Sequence, residues 1–323
     1  MPLDDLARPL LSICIATFRR GKLIGETLDS LLAEVRPGVE IVVVDGASPD
    51  ETEQVVRERE ARHPCLRYYR EPVNSGVDGD FDKAVGYARG AYCWLMSDDD
   101  LLVPGAVGRV LQALGDEPDL VVVNAESRSP TMRTLLDERL MRFGEDRTYR
   151  EGDAERLFVD TCRYLSYIGG VVIRRAAWLS RDRRSYYGSL FVHAGVIFQD
   201  PPLARARVLA APLIRIRHGT QMWTPRAFEI WLFKWPALVW SFTAFSERAR
   251  AAVIPREPWR ILRLLGLHRA WGGYSADVYR THLASRAPWP FAVAARAIAS
   301  IPLSIANAAV ALYCLVGARW ARQ

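Results

Sequence analysis

The sequence has no Cys-x-x-Cys pair; its five cysteines, at 14, 65, 93, 162 and 314, are odd in number and widely spaced. This excludes a disulfide framework as the organising device. Cys14 and Cys93, set in apolar runs, read as small buried hydrophobes of a reducing compartment. The amino terminus carries Asp4 and Asp5 and no basic segment ahead of an apolar one, so no secretory signal is read and the chain is expected to start in the cytosol. No glycine-rich triphosphate loop follows the first apolar run, and no nucleic-acid recognition motif is present. Acids are scarce late in the chain: from Pro201 onward there are 4 Asp+Glu against 17 Lys+Arg, with eight of the ten tryptophans.

At 323 residues and 50% hydrophobic, the chain can bury a large core and is expected to form more than one unit. Apolar runs at Leu10–Ala16, Glu40–Val44, Leu66–Tyr69 and Tyr92–Met96 alternate with helical patterns at Leu23–Ala33, Glu51–Ala61 and Asp80–Arg89. Strand–helix alternation with short loops predicts an α/β fold with a mostly parallel, doubly wound sheet. The fourth run stops on Ser97-Asp98-Asp99-Asp100. Three adjacent carboxylates at a strand's carboxyl end suit a hard divalent cation, Mg²⁺ or Mn²⁺, whose shell diphosphate oxygens would complete. The plain alternative is a solvated acidic turn before the helix that Pro104 opens.

Three segments together, Leu11–Arg20, Ile41–Thr52 and Gly76–Val107, resemble the GT-A fold glycosyltransferases of family 2, of the abequosyltransferase type. The resemblance covers roughly the first 110 residues and implies a nucleotide-sugar donor with a divalent metal. It places Thr17, Phe18, Arg20, Asp45, Asp80, Lys83, Asp98, Asp99 and Arg217 around the donor. It puts Asp98 and Asp100 at the metal, where His218 would complete the shell. The chain departs from the family at Gly46, where many relatives carry a second acid, and at Met96. From composition alone, Asp80, Asp82 and Lys83 also read as a solvated helix face, and Arg215, Arg217 and His218 as a surface basic patch.

An inverting transfer needs a base beside the acceptor hydroxyl. Between Tyr186 and Gln199 the titratable candidate is His193, followed by Asp200. A lone histidine among Leu190, Phe191 and Val192 reads equally as a core residue.

The expected layout is a GT-A domain over residues 1–224, with a donor half to about 110 and an acceptor half beyond. A basic, tryptophan-rich helical region follows over 225–323. Tryptophan interleaved with arginine suits an anionic membrane surface. Ala297–Gly317 is uncharged and long enough to span, but Pro302, Ser300, Ser304 and Asn307 favour an in-plane or re-entrant helix. Homo-oligomer formation through these helices is the alternative. Together with these features, the resemblance implies a metal-dependent, inverting glycosyltransferase on the cytosolic face of a bacterial inner membrane, peripheral or re-entrant, acting on a lipid-linked saccharide in surface polysaccharide assembly. The rival readings are a sugar nucleotidyltransferase and a non-catalytic membrane scaffold.

Overall fold

The computed structural model describes residues 8–320, with side chains as far as Leu312. The chain divides into two compact units, 8–220 with 242–249, and 221–241 with 250–320.

The first unit runs β1 (Leu11–Thr17), α1 (Gly21–Leu32), β2 (Val39–Asp45), α2 (Thr52–Glu60), β3 (Leu66–Arg70), α3 (Gly76–Tyr87), β4 (Tyr92–Met96) and β5 (Leu101–Leu102). It continues through α4 (Ala106–Ala113), β6 (Leu120–Arg128), β7 (Leu135–Asp137), β8 (Arg147–Tyr149), α5 (Ala154–Thr161), β9 (Val171–Arg174), α6 (Arg175–Ser180), α7 (Val192–Phe198) and β10 (Ala206–Arg217). The sheet order is β3-β2-β1-β4-β9-β6-β10-β5. β1 pairs in parallel with both β2 and β4, in the register Thr17↔Asp45 and Ile15↔Met96. β9 lies antiparallel between β4 and β6, so β4, β6 and the parallel β10 all point the same way.

Consecutive burial along β2 and β4 is what a sheet covered on both faces requires. Ile24, Leu28 and Leu31 recur at helical spacing and bury one face of α1 in the core shared by β1, β2 and β4. Each such fully buried side chain is worth about 1.5–3 kcal/mol. The consequence for function is positional. Thr17, Asp45, Ser97–Asp100 and Arg217 all fall on the carboxyl edge of one sheet. Two local expectations change: α3 begins at Gly76 rather than Asp80, and the acid cluster runs into β5, paired with β10, before α4 begins at Ala106.

The second unit contains α8 (Ala227–Glu229), a π-helical turn Ile230–Lys234, α9 (Trp235–Ser241), α11 (Leu262–Ala270), α12 (Ala276–His282), α13 (Trp289–Ser300) and α14 (Leu303–Trp320). A further helix, α10 (Glu247–Val253), precedes α11. Phe228, Leu232, Trp259, Leu265, Tyr274 and Leu283 form this unit's own core, with the Phe228 and Tyr274 rings stacked 4.8 Å apart. The tryptophans of this unit divide: Trp235 and Trp259 are buried, while Trp271 and Trp289 are 69% and 80% exposed. Part of the arginine–tryptophan interleaving is internal as well, with Arg250 and Arg256 both against the Trp240 ring. The uncharged stretch 297–317 is not one helix. Ile301 is extended before Pro302, and the axes of Trp289–Ser300 and Leu303–Leu312 differ by 100°. A proline disfavours helical geometry in its predecessor and removes a backbone donor, which explains the break. Among the described residues no single helix is long and apolar enough to cross a membrane.

Candidate active site

The acid cluster is buried rather than solvated, with Asp98 at 9%, Asp99 at 7% and Asp100 at 1% exposure. The β1–α1 turn brings Arg20 onto it, with Nε 3.2 Å from Asp98 Oδ1 and Nη2 3.2 Å from Asp99 Oδ2. The turn is fixed by Arg19 in the left-handed region, by Arg19 N–H on Ser48 Oγ and by Arg20 N–H on Thr52 Oγ1. Asp99 Oδ2 also accepts from Thr220 Oγ1 at 2.8 Å. Asp100 accepts from Tyr167 Oη at 2.7 Å and from Arg217 N–H at 2.8 Å. Burial, with Asp99 adding to it against the pull of Arg20, pushes the Asp98 carboxyl up to about 7. Burial and Asp99 likewise push Asp100 up to about 7, against the hydrogen bonds from Tyr167 and Arg217. The cluster holds more negative charge than its arginine neutralises, and it calls for a cation.

That chemistry fits Mg²⁺ or Mn²⁺, since the groups offered are carboxylate oxygens in surplus charge. Among the described residues no three His, Cys, Asp or Glu converge as a metal site, so ligand oxygens would have to supply most of the shell. His218 is exposed, between Arg217, whose N–H bonds Asp100, and Thr220, whose hydroxyl bonds Asp99.

Other expected donor residues are placed less simply. Thr17 is buried at the end of β1, its Oγ1 without a hydrogen-bond partner. The Phe18 ring lies half-buried with the Arg19 guanidinium 5.1 Å from its centre. Asp45 is sealed: Tyr68 Oη donates to its Oδ2 at 2.5 Å and Ser48 N–H to its Oδ1 at 2.8 Å. Arg217 is a structural clamp rather than an open anion ligand, because its side chain donates to Asp99 O, Pro130 O and Glu26 Oε2. Lys83 was expected around the donor. Instead its Nζ donates to Glu71 Oε2 and Ser75 Oγ, just beyond β3 and three strands from Asp98.

The two acceptor-base candidates need correction. His193 is 1% exposed, its Nε2 is 2.8 Å from Leu165 O, and burial pushes its pKa down to about 4. It is a core histidine. Asp200 lies past the carboxyl end of α7, where Arg181 bonds Gln199 O and feels both Asp119 and Asp200. Asp119 precedes β6 and therefore marks the amino edge of the sheet, opposite the acid cluster.

Sequence reasoning missed four contributors. Tyr167 holds Asp100, Thr220 holds Asp99, and Glu26 holds Arg217. Asp78, on the first turn of α3, accepts backbone N–H groups from Gly188, Leu190 and Val192. One signal was available for Tyr167: a Cβ on Gly169 would fall within the tyrosine's own ring atoms, so glycine is what lets that ring fold back.

Residues 12–175 match the sequence model of glycosyl transferase family 2. The chain belongs to that family. Among family relatives, abequosyltransferase RfbV of Salmonella typhimurium is 25% identical over 228 residues, which is 64% of this chain and 66% of that protein. A GalNAc(5)-diNAcBac-PP-undecaprenol beta-1,3-glucosyltransferase of Campylobacter jejuni is 28% identical over 105 residues, 32% of this chain and 34% of that one. The matches thus span just under two thirds of the first relative and about a third of the second. The crystal structure of S. aureus TarS 1-349 aligns with a TM-score of 0.57 at 16% identity, over 90% of this chain and 87% of that one. The family 2 chain therefore has the GT-A fold, with the family match lying wholly within the first unit.

Proposed function

We propose that the protein is a metal-dependent, inverting glycosyltransferase that moves a sugar from a nucleoside diphosphate to a lipid-linked saccharide. The observation that carries this reading is the buried, under-neutralised cluster Asp98–Asp100 at the carboxyl edge of a GT-A sheet. In the transfer, the acceptor oxygen bonds to the anomeric carbon as that carbon's bond to the diphosphate oxygen breaks. The bonding pair leaves with the nucleoside diphosphate, and the acceptor proton passes to a base. A bound Mg²⁺ or Mn²⁺, held by Asp98 and Asp100, would neutralise the charge that gathers on the leaving diphosphate. Arg20 orients Asp98 and Asp99, while Tyr167 and Arg217 fix Asp100.

The donor class is supported by a TarS structure in complex with UDP-GlcNAc, TM-score 0.56 at 15% identity. The acceptor class is supported by the Campylobacter relative, whose name specifies a PP-undecaprenol saccharide. We place the second unit on the cytosolic face of a bacterial-type membrane. Supporting this are Trp271, Trp289, Val293 and Ile305, all more than half exposed, and the excess of arginine from Pro201 onward.

The test is calorimetric binding of UDP, GDP, dTDP and CDP with and without Mn²⁺. One of them should bind only with the metal, and at 100 times its Kd should add about 2.7 kcal/mol of stability. Asp98→Asn and Asp100→Asn should each abolish that binding in a folded protein. Binding indifferent to Mn²⁺ and to both substitutions would sink the reading.

A further inference from the structure

Three leucines are bare within one short stretch of the first unit, Leu135 at 46%, Leu136 at 54% and Leu140 at 36% exposure. They follow the turn by which β6 folds back into β7, with Leu135 paired to Arg128 and Asp137 to Ser127. The turn is held in shape: Ser129 N–H bonds Thr134 O, Met132 N–H bonds Ser129 O, and Thr134 N–H bonds Ser129 Oγ. Successive residues of a strand point to opposite faces. With Leu135 and Leu136 both about half exposed, neither face of β7 is covered. A folded partner seated on one face would leave the other leucine in water. A lipid phase encloses both, and that is the occupant this arrangement fits.

The charges around the leucines suit an anionic surface. Arg128, Arg133, Arg139, Arg142 and Arg215 stand against Glu126, Asp137 and Glu138. Glu126 is shared by Arg128 and Arg215, and Asp137 is held by Arg142. Arg133 is exposed in the turn itself. Glu138 is exposed on the side of the leucines away from the turn, where it keeps insertion to headgroup depth. The hairpin is also coupled to the acid cluster. The Arg217 side chain donates to Pro130 O in the turn, while its backbone N–H holds Asp100. Leu135, Arg128 and Arg217 lie in one row across β7, β6 and β10. At roughly 4.8 Å per strand, that row sets Leu135 about 10 Å from Arg217.

We propose that residues 129–136 form a membrane-docking hairpin, which seats Leu135 and Leu136 in the headgroup region of an anionic bilayer. The carboxyl edge of the sheet, with Asp98–Asp100, thereby faces the lipid surface. This rests on the membrane reading above and goes beyond it, because the contact is made by the unit that carries the acid cluster. Acceptor chemistry gives the contact its use. The phosphates of a lipid-linked saccharide stay at headgroup depth, and a site held at that surface meets the sugar they carry. Arg133 supplies attraction that salt screens, and the leucines supply apolar burial that salt leaves intact.

The experiment measures partitioning of the full chain onto vesicles of phosphatidylethanolamine and phosphatidylglycerol in equal parts, with amide hydrogen exchange on the same samples. Vesicles should slow exchange from Arg133 to Leu136. Leu135→Ser with Leu136→Ser should abolish that protection and weaken partitioning about tenfold or more, the second unit still binding. Arg133→Gln should weaken capture on the order of fivefold on these vesicles and change nothing on neutral phosphatidylcholine. All three side chains are exposed, so the variants should melt within about 2 °C of wild type. If the double variant partitions as wild type does, or vesicles protect only the second unit, this inference alone is overturned. A wild-type chain that does not partition at all sinks the membrane reading, and this inference with it. Self-association without lipid that the two leucine substitutions abolish would assign the hairpin to a second copy and overturn the proposal.

Discussion

Arg20 Nε and Asp98 Oδ1 lie 3.2 Å apart, each side chain about one-eighth exposed, joining the first loop of the sheet to the acid cluster 78 residues later. The pair is incomplete as a charge balance, because Arg20 serves Asp99 at the same distance. Burial consequently overrides the arginine and raises Asp98 toward neutrality. A site in this condition costs stability until a proton or a cation neutralises it.

That cost is measurable as a pH dependence. Asp98 and Asp100 titrate near 7 in the folded chain against an ordinary value of 3.8. Between those limits the folded state binds more protons than the unfolded state, so their contribution falls as pH rises from about 4 to 7. Without metal, Asp98→Asn and Asp100→Asn should each raise the melting midpoint at pH 8 relative to wild type and leave it nearly unchanged at pH 4. A gain on the order of 1 kcal/mol corresponds to roughly 2–4 °C. Variants that melt below wild type at pH 8 would contradict the surplus-charge account.

His193 carries the opposite sign. Its folded pKa is depressed to about 4 from 6.5, so its contribution is present above 6.5 and is lost as pH falls toward 4. His193→Ala should cost about 2–4 kcal/mol through the lost Leu165 bond and the cavity left behind. Nucleotide Kd should stay within threefold of wild type. A variant with wild-type stability and a 10²–10⁴-fold loss of kcat would restore the histidine as the acceptor base.

Asp78 gathers the N–H groups of Gly188, Leu190 and Val192 on two carboxylate oxygens, tying residues 188–192 to the donor half. Asp78→Ala strands three donors and should cost about 2–4 kcal/mol. Hydrogen exchange should accelerate at those three amides ahead of the sheet core. Unchanged protection there would show that the loop is held by other means.

The proposed membrane attachment through the second unit should separate into a salt-sensitive and a salt-resistant part. Arginine attraction to anionic lipid is screened within a distance of about 8 Å at physiological salt, whereas apolar burial is not. Vesicle flotation of the full chain should require anionic lipid for capture and detergent for release. Trp289→Ser with Ile305→Ser should convert retention to salt-sensitive binding. A carboxyl-terminal tag on the far side of the membrane would overturn the in-plane arrangement. A lipid-free chain that sediments as a defined oligomer would assign the exposed helices to self-association.

The α/β alternation, the parallel order of the first strands and the place of the acid cluster were determined by sequence-local properties. Apolar runs of strand length ending in polar loops admit few other folds, and an aspartate run at a strand end lies on the ligand edge by topology. Which groups remain available at that edge was decided only by contacts between distant segments. Tyr68 closes Asp45, Glu71 takes Lys83, and Arg217 is consumed by Asp99, Pro130 and Glu26. His193 and Asp200 looked alike as candidate bases because side-chain chemistry is a property of sequence. One is enclosed under Leu165 and the other stands on the opposite edge of the sheet. Burial and edge are properties of packing, set by the antiparallel insertion of β9 and the direction of α7, which no periodicity in the chain encodes.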